Sequence, residues 1–298
     1  MGQAPPEGRM TMYAITGITG QVGGAVAGTL LAEGATVRAV ARDAVKAAAW
    51  AARGCELAIA EMSDFASLTR AFAGADGVFV LIPPIFDPSP GFTDARAIIA
   101  AVRAALAETR PSRVVCLSTV GAQATQPNLL NQLAIMEHEI GTLDLPIAFV
   151  RAAWFMENAA WDLASAREGA IRSFLQPLDR AVPMVATADI GATAARLLRA
   201  RWTGRRVIEL QGPAPVSPNE LAATFGRLLG RGVRAQAVPR AEWEALFRCQ
   251  GMRNPAPRAQ MLDGFNQGWL SFEGGDSIEA VTGTTTLETV LRGLLASA

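Results

Sequence analysis

A short apolar run at 12–16 passes directly into Gly17-Ile18-Thr19-Gly20-Gln21-Val22-Gly23-Gly24, and from there into an Ala-rich stretch with helical character to about residue 33. Three glycines so spaced, between a strand and a helix, admit few folds. Gly17 permits the tight turn off the strand, Gly20 lets backbone approach a pyrophosphate, and Gly23 lets the helix pack closely on the sheet. Phosphates would then rest on backbone N–H groups at the positive end of that helix. Ordinary turn glycines could give the same letters. The strand before, the helix after and the repeating units that follow favour a dinucleotide.

Those units continue with apolar runs at 36–40, 56–59, 77–82, 113–118 and 146–150, separated by amphipathic segments near 43–53, 64–73, 93–109 and 129–142. Such alternation predicts an α/β fold, a Rossmann-type doubly wound parallel sheet with helices on both faces. Asp43 and Ser63 are read as N-caps of the second and third helices. After about residue 151 the pattern loosens. Helical segments near 154–169, 187–201, 218–230, 240–249 and 257–270 alternate with Pro- and Gly-marked loops and two apolar runs, at 206–210 and 233–238. Ser217-Pro218-Asn219-Glu220 reads as a capping box with Pro at the first helical position. The expected organisation is an extension at 1–10 without order, a nucleotide-binding domain at 11–153, and a smaller, mostly helical C-terminal lobe at 154–298. That lobe would cover the open edge of the sheet, with a return of the chain to the sheet edge left open.

The second strand indicates which dinucleotide. NAD binders place an acidic residue at its end to hold the ribose 2′-hydroxyl, whereas an Arg there accommodates a 2′-phosphate. Here the strand ends Val40-Ala41-Arg42-Asp43, with Lys46 one helical turn further on. Asp43 is explained as a helix cap, so Arg42 and Lys46 are assigned to a 2′-phosphate and NADP(H) is preferred over NAD(H).

Composition removes several chemistries. Among 298 residues the 27 basic and 27 acidic side chains balance to zero net charge, which argues against a direct nucleic-acid partner. The sole Tyr is Tyr13, the sole Lys is Lys46 and the sole His is His138. No Tyr–Lys pair or lysine Schiff base can be assembled near a nicotinamide. No metal site is expected, because Cys55, Cys116 and Cys249 lie far apart without metal spacing. Ser118 in Cys-Leu-Ser-Thr-Val-Gly lacks the nucleophile elbow of a hydrolase. With free thiols, no signal-like start and no run near 18 apolar residues, the expectation is a cytoplasmic protein with no membrane partner.

With the glycine turn, the strand-end Arg42 and Arg151-Ala-Ala-Trp-Phe-Met-Glu-Asn158 in view, the chain resembles the NmrA-like family, an atypical branch of the short-chain dehydrogenases, from about Met12 to the end. Gly283-Thr284-Thr285-Thr286-Leu287-Glu288 resembles its C-terminal helix entry. That family includes NADP(H)-sensing regulators and NADPH-dependent quinone and azo-compound reductases. The resemblance implies that Gly17, Thr19, Gly20, Gln21, Val22 and Gly23 hold the pyrophosphate and that Arg42 and Lys46 hold the 2′-phosphate. Glu61 and Met62 would lie near adenine, and Ile82 and Pro83 would flank ribose and nicotinamide. Ser118, Thr119, Phe155 and Asn158 would border the nicotinamide pocket. Where several relatives keep a Lys, this chain has Leu133.

Two functions follow. In the first, an NADPH-dependent oxidoreductase reduces a small-molecule acceptor, such as a quinone or azo compound, that spreads the charge left by hydride arrival. Solvent supplies the proton, and Ser118 or Thr119 hydrogen-bonds the acceptor oxygen. In the second, a non-catalytic NADP(H) sensor of the NmrA type presents its state to a regulatory protein partner. A homodimer is compatible with either. Trp154, Phe155, Met156 and Trp161 are read as core or as the wall of a planar substrate pocket. His138 is read as a solvated helix residue in preference to an acid–base group, and 83–90 either as a lid or as a rigid connection.

Overall fold

The computed structural model describes residues 11–297; the extension expected at residues 1–10 lies outside the described residues. Through residue 152 the chain alternates strand and helix: β1 (Met12–Thr16), α1 (Gln21–Ala32), β2 (Thr36–Ala41), α2 (Ala44–Ala52), β3 (Glu56–Ile59), α3 (Phe65–Phe72), β4 (Gly77–Val80), α4 (Thr93–Thr109), β5 (Arg113–Thr119), α5 (Asn131–Ile140) and β6 (Ile147–Ala152). Next come β7 (Trp154–Phe155), α6 (Leu163–Glu168), β8 (Ala170–Ser173), β9 (Met184–Val185), α7 (Thr187–Arg199), β10 (Arg205–Gln211) and α8 (Pro218–Leu229). The chain ends with β11 (Arg234–Ala237), α9 (Trp243–Cys249), α10 (Ala256–Gln267), β12 (Glu279–Thr282) and α11 (Leu287–Ala296).

Eight strands form one parallel sheet in the order β12-β10-β6-β5-β4-β1-β2-β3. The order reverses at β1, whose neighbours are β2 and β4, and this is where open α/β sheets bind ligands beyond their strand C-termini. Both faces are buried, so the central strands read as near-continuous apolar runs. Ile15, Phe79, Val115, Leu117 and Val150 face the layer of α1 and α7, whereas Val78, Cys116 and Phe149 face that of α3, α4 and α5. Thr16 spans the switch point: its Oγ1 donates to the Phe79 carbonyl at 3.1 Å and accepts from the Leu81 amide at 2.8 Å.

One sequence reading is sharpened and two need correction. At the sheet edge beyond β6 the return left open in the sequence is what occurs: residues after 153 do not merely cover that edge but extend it with β10 and then β12, and α7 packs against α1. The cap of α3 is Asp64, not Ser63: its carboxylate accepts from the Ala66 and Ser67 amides, both at 3.2 Å, and Ser63 falls one residue outside. The segment read as a helix near 154–169 opens with two extended residues, passes through a 3₁₀ turn at Met156–Asp162 and becomes α-helical only in α6. Trp154 pairs with Met184 of β9, a use of aromatic residues that suits strands better than helices.

Other expectations hold. Asp43 caps α2 through the Val45 and Lys46 amides at 2.8 and 3.2 Å, and Ser217 and Glu220 form the capping box of α8. Thr286 caps α11. The later residues supply most of two further apolar clusters, one around Trp243, Phe247 and Phe265 that also takes in Val120 and Leu129, the other around Phe225 and Leu291.

Candidate nucleotide and acceptor site

Four helices, α2, α3, α8 and α11, start under a side-chain cap. Among the described residues helix α1 is one of the seven that do not, and the one that starts at the switch point of the sheet: Gly20 stands at its N-cap with no side-chain bond, and no acidic residue lies in its first turn. The first amides of a helix are orphan donors at the positive end of its dipole. Left open at a switch point, they suit a pyrophosphate. The turn is shaped for close approach. Gly17 has φ +63°, and a Cβ placed on Gly23 would lie 2.3 Å from the Gly17 carbonyl oxygen and 2.5 Å from its carbon. Thr19, Gly20 and Gln21 are exposed at the lip, whereas the Val22 side chain is buried in the core, leaving only its backbone to face a ligand.

Beyond β2, Arg42 and Lys46 are exposed side by side at the start of α2, with no carboxylate paired to either among the described residues. The Asp43 carboxylate between them is engaged with two helix amides. Glu61 is exposed after β3, but Met62 is buried in the apolar layer, so its side chain is core. Ile82 is buried and Pro83 half-buried where β4 ends.

The segment 83–90 is tied to the later lobe. Asp87 accepts from the Arg253 and Asn254 amides at 3.0 and 2.6 Å, and Asn254 Nδ2 donates to the Pro88 carbonyl at 3.0 Å. Those hydrogen bonds, the Asn254 one foremost, hold the Asp87 carboxyl below the usual carboxylate range. Beneath this bridge lies a cavity of about 140 Å³ lined in part by Pro90, Phe92, Asn128, Asn131 and Pro257.

At the ends of β5, β6 and β10 the sheet register sets Ser118, Arg151 and Glu209 in one row, Ser118 opposite Arg151 and Arg151 opposite Glu209. The row is polar where the strands below are apolar, and all three residues are buried. Arg151 completes it with a fork onto Glu137 of α5, Nε to Oε1 at 2.9 Å and Nη2 to Oε2 at 2.7 Å, and with Nη1 on Glu273 at 2.6 Å. Burial opposes the Arg151 charge, but Glu137 and Glu273 outweigh it and raise its pKa. Ser118 donates its hydroxyl proton to Glu137 Oε1 at 2.5 Å. Thr119 points the other way, its hydroxyl donating to the Val120 carbonyl at 3.1 Å.

The remaining candidates separate. Trp154 is half-buried and meets Phe265 edge-on at 5.2 Å, Phe155 is half-buried and Met156 is core. Trp161 is 67 % exposed and joins none of them, so the four do not form one wall. Asn158 is half-buried in the same 3₁₀ turn as Met156. Tyr13 lies in the core of β1. His138 is exposed on α5, beside Arg96 and Glu139 in an open groove between α4 and α5. Leu133 packs against the apolar layer. Cys116 is fully buried and its thiol pKa is pushed up by desolvation, as for a small core hydrophobe. Among the described residues no three His, Cys, Asp or Glu side chains group as metal ligands, and no helix is long and apolar enough to cross a membrane.

Comparison with known proteins follows the same lines. The model of the NmrA-like family matches residues 11–267. The chain belongs to the NmrA-like family. Within reach of this NmrA-like chain is the NAD(P)H azoreductase of Xenophilus azovorans, 27 % identical over 81 % of this chain and 82 % of the relative. Quinone oxidoreductase 2 of Escherichia coli is 26 % identical over 93 % and 96 % respectively. Among solved structures, the triphenylmethane reductase of Citrobacter sp. superposes with a TM-score of 0.78 at 23 % identity, covering 96 % of this chain and all of that one. This last likeness speaks for the fold.

Sequence reasoning missed Glu137, Glu209 and Glu273. The signal was present only in part: Glu209 interrupts the apolar residues Val207, Ile208 and Leu210, and a buried carboxylate inside a sheet calls for a cation.

Proposed function

We propose that this protein is an NADPH-dependent reductase of electron-poor acceptors such as quinones or azo compounds. The observation that carries the reading is the uncapped, glycine-lined start of α1 at the switch point of the sheet. It is supported by the relatives, named as reductases of azo compounds and quinones; those names lend no support to the sensor alternative.

Preference for the phosphorylated coenzyme rests on Arg42 and Lys46. Their charges are free for a 2′-phosphate because Asp43 is engaged as a cap. The amides of Gln21, Val22 and Gly23 would hold the pyrophosphate, Glu61 would face the adenine end, and Ile82 and Pro83 would flank ribose and nicotinamide. Phe155 and Asn158 would close the nicotinamide pocket. When bound, the coenzyme supplies the hydride.

The acceptor class follows from what the chain lacks. Tyr13 is in the core, Lys46 is at the adenine end and His138 is on an outer groove. Among the described residues no Tyr, Lys or His stands at the strand ends, and the Ser118 hydroxyl donates to Glu137. Both strand-end hydroxyls are engaged, Ser118 with a carboxylate at 2.5 Å and Thr119 with the neighbouring Val120 carbonyl at 3.1 Å; the longer, uncharged bond of Thr119 is the one an acceptor oxygen would displace. Rate enhancement then comes from holding the acceptor over the nicotinamide, and only acceptors that delocalise the new charge can wait for a proton from water. Calorimetric titration tests the coenzyme half of the proposal: NADPH should bind about tenfold more tightly than NADH, and equal affinity would remove the 2′-phosphate assignment.

A further inference from the structure

After α10 the chain crosses the C-terminal ends of β5, β6 and β10 before it enters β12 at the sheet edge. This crossing strap is held by a carboxylate. Glu209 is 5 % exposed, and its Oε1 and Oε2 accept the consecutive amides of Glu273 and Gly274 at 2.7 and 3.1 Å. A carboxylate so buried is tolerated only with such donors, and two convergent backbone amides make a small anion nest.

The strap spends its other contacts on the turn that leaves β5. Leu270 lies so close to Gly121 that a Cβ there would come within 2.4 Å of Leu270 Cδ2. Gln123 Nε2 donates to the Ser271 carbonyl at 2.8 Å. Glu273 reaches back to Arg151 in the row that also fixes Ser118.

We propose that Glu209 is a positioning residue for the acceptor side of the site: it fixes the strap 270–275, and the strap fixes the turn 119–123. The inference rests on the reductase reading, since an acceptor wall has meaning only if an acceptor binds there. Glu209 touches neither coenzyme nor acceptor. Its effect passes through two amides to Leu270 and Ser271, and from them to the turn carrying Thr119. Glu209→Gln keeps the volume but sets an NH₂ group where an N–H already points, so at least one of the two strap bonds is lost.

The test compares wild type, Glu209→Gln and Gln123→Ala by amide hydrogen exchange, by calorimetry with NADPH and by steady-state kinetics with a naphthoquinone. In Glu209→Gln the Glu273 and Gly274 amides should exchange about tenfold faster. The quinone KM should rise about fivefold, with kcat and NADPH affinity within about twofold. Gln123→Ala cuts the strap from the turn outside the charged row. It should raise KM about twofold to threefold without altering those two amides, and it decides the matter if Glu209→Gln does not fold. Faster exchange with an unchanged KM, unchanged exchange, or an equal loss of NADPH affinity would each overturn the assignment. A wild-type protein that oxidises NADPH with no quinone would sink the reductase reading and the acceptor role together, whereas the exchange rates would still show whether Glu209 anchors the strap.

Discussion

Arg151 and Glu137 meet in a two-pronged ion pair at 2.9 and 2.7 Å, their side chains 8 % and 12 % exposed, and Glu137 Oε1 also accepts a hydrogen bond from the Ser118 hydroxyl. A charge pair this far from water is costly to break from one side, because the remaining ion stays buried. Glu137→Gln should therefore destabilise the fold by about 2–3 kcal/mol, toward the low end for buried pairs, since Glu273 and Glu209 still face Arg151. Urea unfolding checks it: the midpoint should fall with an unchanged slope.

Gly23 decides whether a coenzyme can bind at all. Its missing Cβ leaves room for the Gly17 carbonyl, which is backbone and cannot move aside. Gly23→Ala should cost about 1–3 kcal/mol of stability, as overpacking does, and lower NADPH affinity by more than about tenfold because the helix start is pushed off the turn. Thermal unfolding and calorimetry read the two effects separately.

Arg42→Ala should weaken NADPH by about fivefold to tenfold, most of the coenzyme preference, through the loss of a charge-assisted bond to a dianion, and leave NADH within about twofold. Both constants come from the same calorimetric titrations.

Asp162 gives the pH dependence a sign. Burial pushes its carboxyl up to about 6, above the value near 3.9 of an unfolded chain. The native state therefore holds this proton more tightly than the unfolded one. The penalty for ionising it is absent below about pH 4, grows between there and pH 6, and is complete above. Asp162→Asn should stabilise the protein by about 2 kcal/mol at pH 7.5 and by almost nothing at pH 4. An equal gain at both pH values would contradict the burial origin.

The central strands and the glycine turn were legible because their physics is local. A buried parallel strand must be apolar throughout, a phosphate-binding turn needs glycine, and Asp43 and Ser217 cap the helices that begin beside them. What stayed hidden depends on distant partners. Glu279–Thr282 carries no apolar pattern and becomes β12 only because β10 offers a free edge at the register Ile208 to Glu279. The sequence did not show that the Ser118 hydroxyl donates to Glu137, a bond that joins β5 to α5 across 19 positions. Trp161 shares a segment with Trp154 and Met156 but faces water because the 3₁₀ turn, with its tighter period, rotates it outward.

The most direct test of the proposed activity is to mix the protein with NADPH and a panel of quinones and follow oxidation of the coenzyme. Consumption of NADPH mole for mole with at least one quinone, much slower with NADH, is the predicted result. Tight NADPH binding without oxidation by any quinone or azo compound would contradict it.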